Sequence, residues 1–306
     1  MNTKETTFGC AIATPERPVA GLGVCVSPSE PLKDASGPVR PVSGGSMQID
    51  PSRYRVKLAD TEAEREGAQR LRYRVFVEEM GALATPEEHA ARREWDAFDP
   101  FVDHLVLLSL DPAIADPLDR VVGAYRLLPD GVARSGPGFY GSGEYDLGAI
   151  AESGRESVEL GRSCVAPDHR GGPGMHLLWN GLASYVLERR IELLFGVASF
   201  HGTDPAPLAE SLAFLHHEHL APPDLRVRAR PEHYLDMNLM PRDAIDSVRA
   251  LRMIPPLIKA YLRLGGFVGD GAFVDRDFNT IDVCVVMDTA RMTERYLQFY
   301  RRARRG

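Results

Sequence analysis

A strand that runs into a glycine-rich loop and then into a helix places the tightest constraint on how this chain folds. Ser157–Val165 (SVELGRSCV) reads as a strand, APDHRGGPGMH follows it, and a helix is expected from about Met175 to Arg190. The next segment, Glu192–Phe200, contains LLFGVASF and has the character of a buried strand. A β-α-β unit of this kind belongs in a sheet covered by helices. Its loop also presents free backbone N–H groups and the positive end of a helix dipole. Those groups suit a pyrophosphate or a pantetheine-linked donor.

The flanking segments enlarge this unit. Tyr54, Val56 and Leu58 alternate with Arg55, Lys57 and Ala59, as in a strand. Asp60 and Thr61 can cap a helix over Glu62–Glu79, in which Ala68, Leu71, Val75 and Phe76 recur at helical spacing. Two strands are expected at His104–Leu110 and Arg120–Leu128, separated by the turn-rich DPAIADPLD. Arg226–Arg230 reads as a charged strand, and Ala244–Leu264 as a helix broken at Pro255-Pro256. Thr280–Met287 reads as a last buried strand and Arg291–Arg305 as a basic helix. This order predicts an α/β fold: one mixed β-sheet, antiparallel at its start, with helices on both faces. Of residues 1–50, 21 are Gly, Pro, Ser or Thr, without a period. Residues 1–50 are therefore expected to form a disordered arm, and 51–306 a single domain.

Composition excludes several classes of partner. A formal net charge of −7 argues against general nucleic-acid binding. No apolar run approaches the ~18 residues needed to cross a bilayer. The opening MNTKETTFGCAIATPERP lacks the plan of a secretory signal, so a cytoplasmic protein is expected. Cys10, Cys25, Cys164 and Cys284 include no CxxC pair, and reduced thiols are expected rather than a zinc or redox site. His216, His217 and His219 cluster in HHEH, but nothing nearby completes a ligand set, and no metal is expected.

Arg170, Gly171, Gly172 and Gly174 resemble the acyl-donor loop of the GNAT superfamily, fed by the strand that ends at Val165. Pro173 and Met175 stand where glycine or a small residue is usual. In chain order, LRYRVFVEEMG (71–81), REWDAFD (93–99), VVGAYRLLPD (121–130) and VELGRSCV (158–165) resemble the acyl-homoserine-lactone autoinducer synthases. That GNAT branch uses acyl carrier protein. A closer match, over roughly residues 50–290, is to the ornithine-acyl-carrier-protein N-acyltransferases. ELGRSCVAPDHR, LLWNGLASYV, HHEHLAPPDLRVRA and the segment from Ile254 to Asp288 carry it. The last of these extends past an ordinary autoinducer synthase. The resemblance implies transfer of a 3-hydroxyacyl group from acyl carrier protein to the α-amine of L-ornithine. The product would be lyso-ornithine lipid, and no cofactor would be bound.

Such a transfer needs a base for the amine, stabilisation of the thioester oxygen, and anchors for the amino acid. Glu159, on the strand before the donor loop, can take the proton directly or through water. A core salt bridge with Arg162 is the structural alternative. It needs a bulge, because residues three apart in a strand face opposite ways. Arg126 and Arg162 can each grip a carboxylate bidentately, or simply tie loops together. Glu94, Asp96 and Asp99 can hold ornithine's δ-ammonium or act in part as base, the alternative being a solvated acidic turn. Trp95 among them is expected to be buried. Arg72 and Phe76 share a helical face. Arg72 would brace the acidic loop, and Phe76 would wall the acyl tunnel or pack as an ordinary core residue. Cys164 is expected to be a buried small apolar residue, so attack would be direct, without an acyl-enzyme. Arg301, Arg302, Arg304 and Arg305 would meet the acidic carrier protein or anionic lipid at the inner membrane face. The competing readings are lactone synthesis from S-adenosylmethionine and a non-catalytic acyl-carrier or membrane-binding module.

Overall fold

The computed structural model describes residues 53–170 and 174–291. The arm expected at 1–50, Gly171 and Gly172 of the donor loop, and the tail with Arg301, Arg302, Arg304 and Arg305 lie outside the described residues.

The strands are β1 (Tyr54–Leu58), β2 (Asp103–Ser109), β3 (Val121–Pro129), β4 (Tyr145–Asp146), β5 (Ser157–Val165), β6 (Leu193–His201), β7 (Arg228–Ala229), β8 (Tyr234–Leu235), β9 (Phe267–Val268), β10 (Ala272–Asp275) and β11 (Thr280–Asp288). The α-helices are α1 (Glu62–Arg72), α2 (Pro86–Ala91), α3 (Asp130–Ser135), α4 (Gly148–Ala151), α5 (Gly174–Arg189), α6 (Ala209–His219), α7 (Ser247–Met253) and α8 (Pro256–Arg263). The main sheet runs β1-β2-β3-β5-β6-β11-β10-β8, with β9 also on β11. Among the described residues, β5 and β6 form the parallel strand ladder, and they flank α5 as the β-α-β unit requires.

Local signals account for most boundaries. Thr61 and Glu64 form a reciprocal capping box at the start of α1. The helix expected to continue to Glu79 changes at Tyr73 into a π-helical segment, Tyr73–Glu79. Leu71, Arg72, Tyr73, Val75 and Phe76 are all buried. An ordinary helical stripe cannot turn so many near-consecutive residues inward, and the wider turn does. The proline pair breaks the later helix as expected, with Pro255 as N-cap and Pro256 opening α8. Asp246 caps α7, moving its start from Ala244 to Ser247. Arg226–Arg230 shrinks to β7, which pairs with β4 outside the main sheet.

Strand alternation divides the core between the two faces of the sheet. Leu194, Ala198 and Phe200 of β6 and Val283, Val285 and Met287 of β11 pack with residues of α5, α6 and α8. Leu193, Phe195 and Val197, with Cys284 and Val286, pack on the opposite face under Ala133 of α3 and Ile150 of α4.

Two irregularities at the centre shape the site. Pairing between β5 and β6 covers only Ser157↔Leu193, Val158↔Leu194 and Glu159↔Phe195. Beyond that point the strands splay. A Cβ on Gly196 would overlap the Leu160 carbonyl oxygen, so the point of divergence admits only glycine. In β5 itself, Arg162 has φ of 50°, and the register with β3 shifts between Ala124 and Arg126. This is a bulge, and it re-aims the side chains that follow. Gly196→Ala is expected to lower the unfolding free energy by about 3 kcal/mol, because the opposing atom is backbone. Gly131→Ala, where a Cβ meets nothing, should change it by no more than about 1 kcal/mol. Urea denaturation of both variants checks the contrast.

Candidate active site

The acidic segment first folds on itself. Glu94 N donates to the Gln69 carbonyl (3.0 Å). Asp96 Oδ1 accepts from Phe98 N (2.9 Å), and Asp99 Oδ2 accepts from Asp96 N (2.9 Å). These short-range bonds are what Asx residues make in turns. They point the three carboxylates at three arginines from α1, β3 and β5.

The six side chains close into a ring of alternating charge. Glu94 bridges Arg72 (2.5 Å) and Arg162 (2.9 Å). Asp96 bridges Arg162 (3.1 Å) and Arg126 (2.7 Å). Asp99 bridges Arg126 (3.4 Å) and Arg72 (2.8 Å). All three arginines are buried, Arg72 to 1% exposure. Burial alone would raise the Asp96 and Asp99 carboxyls, but Arg126, Arg162 and Arg72 overcome it and hold both below the ordinary range. A carboxylate held so low is a poor base, and one bridging two guanidiniums has little left for an ammonium. Glu94, Asp96 and Asp99, expected to hold δ-ammonium or share the base role, are each engaged by two of these arginines. Arg72 ties the loop to α1, its Nη2 also donating to the Glu94 carbonyl (2.7 Å). Trp95 is 36% exposed beneath the Arg93 guanidinium; Phe98 is the buried aromatic of the segment.

Glu159 stands apart from this ring. It makes no salt bridge with Arg162; its carboxylate accepts from Tyr140 N (2.7 Å) and Gly141 N (2.6 Å). The bulge brings Arg162 to the same side, and both line a cleft with Arg126, Tyr140, Phe98 and Val197. Burial pushes the Glu159 carboxyl up to about 7, against the lowering effect of the two backbone donors and of Arg126 and Arg162. The Tyr140 ring lies under both arginines, 4.8 Å from Arg162 and 5.4 Å from Arg126. Tyr140 and Gly141 were legible only as loop, in GFYGSG. Gly141 has a reason: a Cβ there would sit 2.8 Å from Glu159 Oε1.

A second, largely apolar cleft lies across the splay. Tyr125, Leu194, Ala198, Leu257, Tyr261 and Val285 line it, and it shares Leu160 and Val197 with the first. The hydroxyls of Tyr125 and Tyr261 hydrogen-bond to each other. Phe76 is fully buried within the main core, and does not line either cleft. At the donor loop, Val165 is buried and its carbonyl accepts from Arg170 Nε (2.8 Å). Arg170 also forks onto Glu79 (2.5 and 2.7 Å), and Gly174 opens α5.

Cys164 is fully buried, and burial pushes its thiol up to about 12. Asp103 and His104 face different partners, Tyr185 with Arg189 and Asp99 respectively. Among the described residues, the three acid or histidine side chains whose ligand atoms lie within 4.8 Å of one another are Glu144, Asp275 and Asp282, not the histidines of HHEH.

The ring predicts an asymmetric mutational response. Arg72→Met leaves Glu94 and Asp99 buried with half their partners and should cost about 3–5 kcal/mol. Arg189→Ala, in a partly exposed pair with Asp103, should cost less than about 1 kcal/mol. Because Asp96 and Asp99 are depressed, the ring's contribution is complete above about pH 4 and lost as pH falls through the folded values. The gap between wild type and Arg72→Met in urea unfolding should therefore narrow on acidification.

Comparison with known proteins supplies the family. A model described as an acetyltransferase (GNAT) domain matches residues 71–180. An L-ornithine N(alpha)-acyltransferase of Rhodobacter capsulatus is 54% identical over 260 residues, covering 85% of this chain and 99% of that protein. Another from Rhizobium meliloti is 44% identical, covering 80% of this chain and 83% of that protein. Among solved structures, FeeM, an N-acyl amino acid synthase from uncultured soil microbes, is similar over 81% of this chain and 98% of that one. At a TM-score of 0.45 and 12% identity, that likeness carries no residue roles. The chain is an N-acyltransferase with a GNAT domain, and it belongs to the family of the L-ornithine N(alpha)-acyltransferases.

Proposed function

We propose that this chain transfers a 3-hydroxyacyl group from acyl carrier protein to the α-amine of L-ornithine, forming lyso-ornithine lipid. The observation that carries the reading is Glu159, a buried carboxyl held near neutrality in a cleft at the splayed strands. The names of the relatives supply ornithine as the acceptor.

In this reading the amino acid lies in the polar cleft, its carboxylate toward the face of Arg126 and Arg162. The acyl chain lies toward the apolar cleft beyond Leu160. The α-amine gives a proton to Glu159, its lone pair forms the C–N bond, and the C–S bond breaks to release the pantetheine thiolate. The proton then returns to the thiolate. A base whose pKa is near the working pH is best matched to such a transfer. No acyl-enzyme is invoked, since the Cys164 thiol is too weakly acidic to attack. Arg170 and Gly174 belong to the donor side with Val165, Gly171 and Gly172. Residues 51–306 act as one unit, preceded by the 1–50 arm. Among the described residues, no helix is long and apolar enough to cross a membrane. A peripheral position at the inner membrane face, through the basic tail, belongs to the same reading.

Purified protein with 3-hydroxyacyl-carrier protein is offered ornithine or S-adenosylmethionine separately, and products are read by mass spectrometry. N-acylornithine is the expected product. A homoserine lactone, or no product from folded protein and intact carrier, would overturn the reading. Glu159→Gln should lower turnover by about 100-fold or more without unfolding. Cys164→Ser should leave the rate within about twofold; loss of activity in a folded variant would argue for an acyl-enzyme.

A further inference from the structure

If the acidic triplet of the ring is engaged by arginines, a cationic amino acid needs another counter-charge. The face of the sheet that carries Glu159 offers one. Tyr140 and Gly141, which hold Glu159, open a one-turn 3₁₀ helix that ends at Glu144. Glu144 is 1% exposed, and its carboxylate oxygens meet no hydrogen-bond donor from outside the acid cluster. Its oxygens meet those of Asp275 on β10 and Asp282 on β11, with one atom from each within 4.8 Å of the others. Asp275 and Asp282 are buried too, and each keeps one unpartnered oxygen. Among the described residues, no arginine or lysine forms a salt bridge with any of the three. Three buried carboxylates without a cation are costly.

A polar group outside the carboxylates points to the same place. Ser199 pairs in register with Asp282 and is 2% exposed, and its hydroxyl faces the Asp282 carboxyl with no partner outside the cluster. Ser199 shares a face of β6 with Val197, two residues earlier. Val197 lines the cleft of Glu159. Cys284, two residues beyond Asp282 on the same face of β11, has its thiol raised by burial and then by both Glu159 and Glu144. Glu144 of the cluster and the candidate base thus act on the same thiol and on each other.

We propose that Glu144, Asp275 and Asp282, with Ser199, form the subsite for the side-chain ammonium of the amino acid acceptor. The α-amine then faces Glu159, whose charge reaches Glu144 and helps to raise that carboxyl. The extended acceptor, about 6 Å between its two nitrogens, reaches from Glu159 toward Glu144. An ammonium offers three donors to the unpartnered oxygens of the cluster. Burial and mutual repulsion raise the Glu144 and Asp282 carboxyls, so the cluster retains protons that an arriving ammonium displaces. This inference rests on the reading that the acceptor is a basic amino acid.

The test compares ornithine with norvaline, which has the same carbon chain without the δ-amine. The wild type should prefer ornithine by about 100-fold in kcat/KM. In Glu144→Gln and Asp282→Asn that preference should collapse to within about tenfold, through a raised KM for ornithine. Ser199→Ala, the mildest change, should shift the preference in the same direction and carries the test if the acid variants do not fold. Equal losses on both acceptors, or an unchanged preference in folded variants, would overturn the subsite. Loss of wild-type activity on chelation with recovery on added Mg²⁺ or Ca²⁺ would also overturn it, assigning the cluster to a divalent ion. If the wild type acylates no basic amino acid, the functional reading itself fails, and no variant is needed to see it.

Discussion

The closed ring of Arg72, Glu94, Arg162, Asp96, Arg126 and Asp99 is the interaction on which the rest of the site depends. It joins α1, the 94–99 loop, β3 and β5. Each charge has two opposite neighbours, so burying six charges leaves no residue of the ring unpaired. Its net charge is zero, which lets two guanidiniums face a cleft without dominating it. An open pair at the same depth would pay desolvation without this compensation. In the proposed reading the ring leaves the base role to Glu159, the acid that lines the cleft.

With the ring in place, Glu159 is free for another role. Gly196 sets where β5 and β6 part, and the Arg162 bulge turns the guanidinium toward the polar cleft. Two backbone donors hold the Glu159 carboxylate, yet burial keeps it far above Asp96. The loop acid Asp96 is thus held low by its arginines while Glu159 on β5 is raised by burial. In the proposed mechanism that separation assigns one of several carboxylates to proton transfer.

The β-α-β unit, the donor-loop helix and the central strands were legible in the sequence because each carries a local period or a capping signal. Thr61, and Pro255 with Pro256, mark ends that the structure keeps. The two-residue strands β4, β8 and β9 have no period to read. The π-helical turn at Tyr73 shows only once burial is known on consecutive residues. For the site, the residue types of the ring were legible, but their pairing was not. Contact between Arg72, Arg126 and Arg162 and the three acids is decided by four separate elements. The backbone grip of Tyr140 and Gly141 on Glu159 leaves no mark in a glycine-rich loop. Glu144, Asp275 and Asp282 are too far apart in the chain to form a motif.

The central claim is that burial holds one carboxyl, Glu159, ready to exchange a proton near neutral pH. A pH titration of glutamate-labelled protein by ¹³C NMR, with Glu159→Gln to assign the resonance, measures it directly. The account predicts a carboxyl that titrates at about 7. A Glu159 resonance that titrates near the ordinary value of about 4.3 would contradict it, and would leave the cleft without its base.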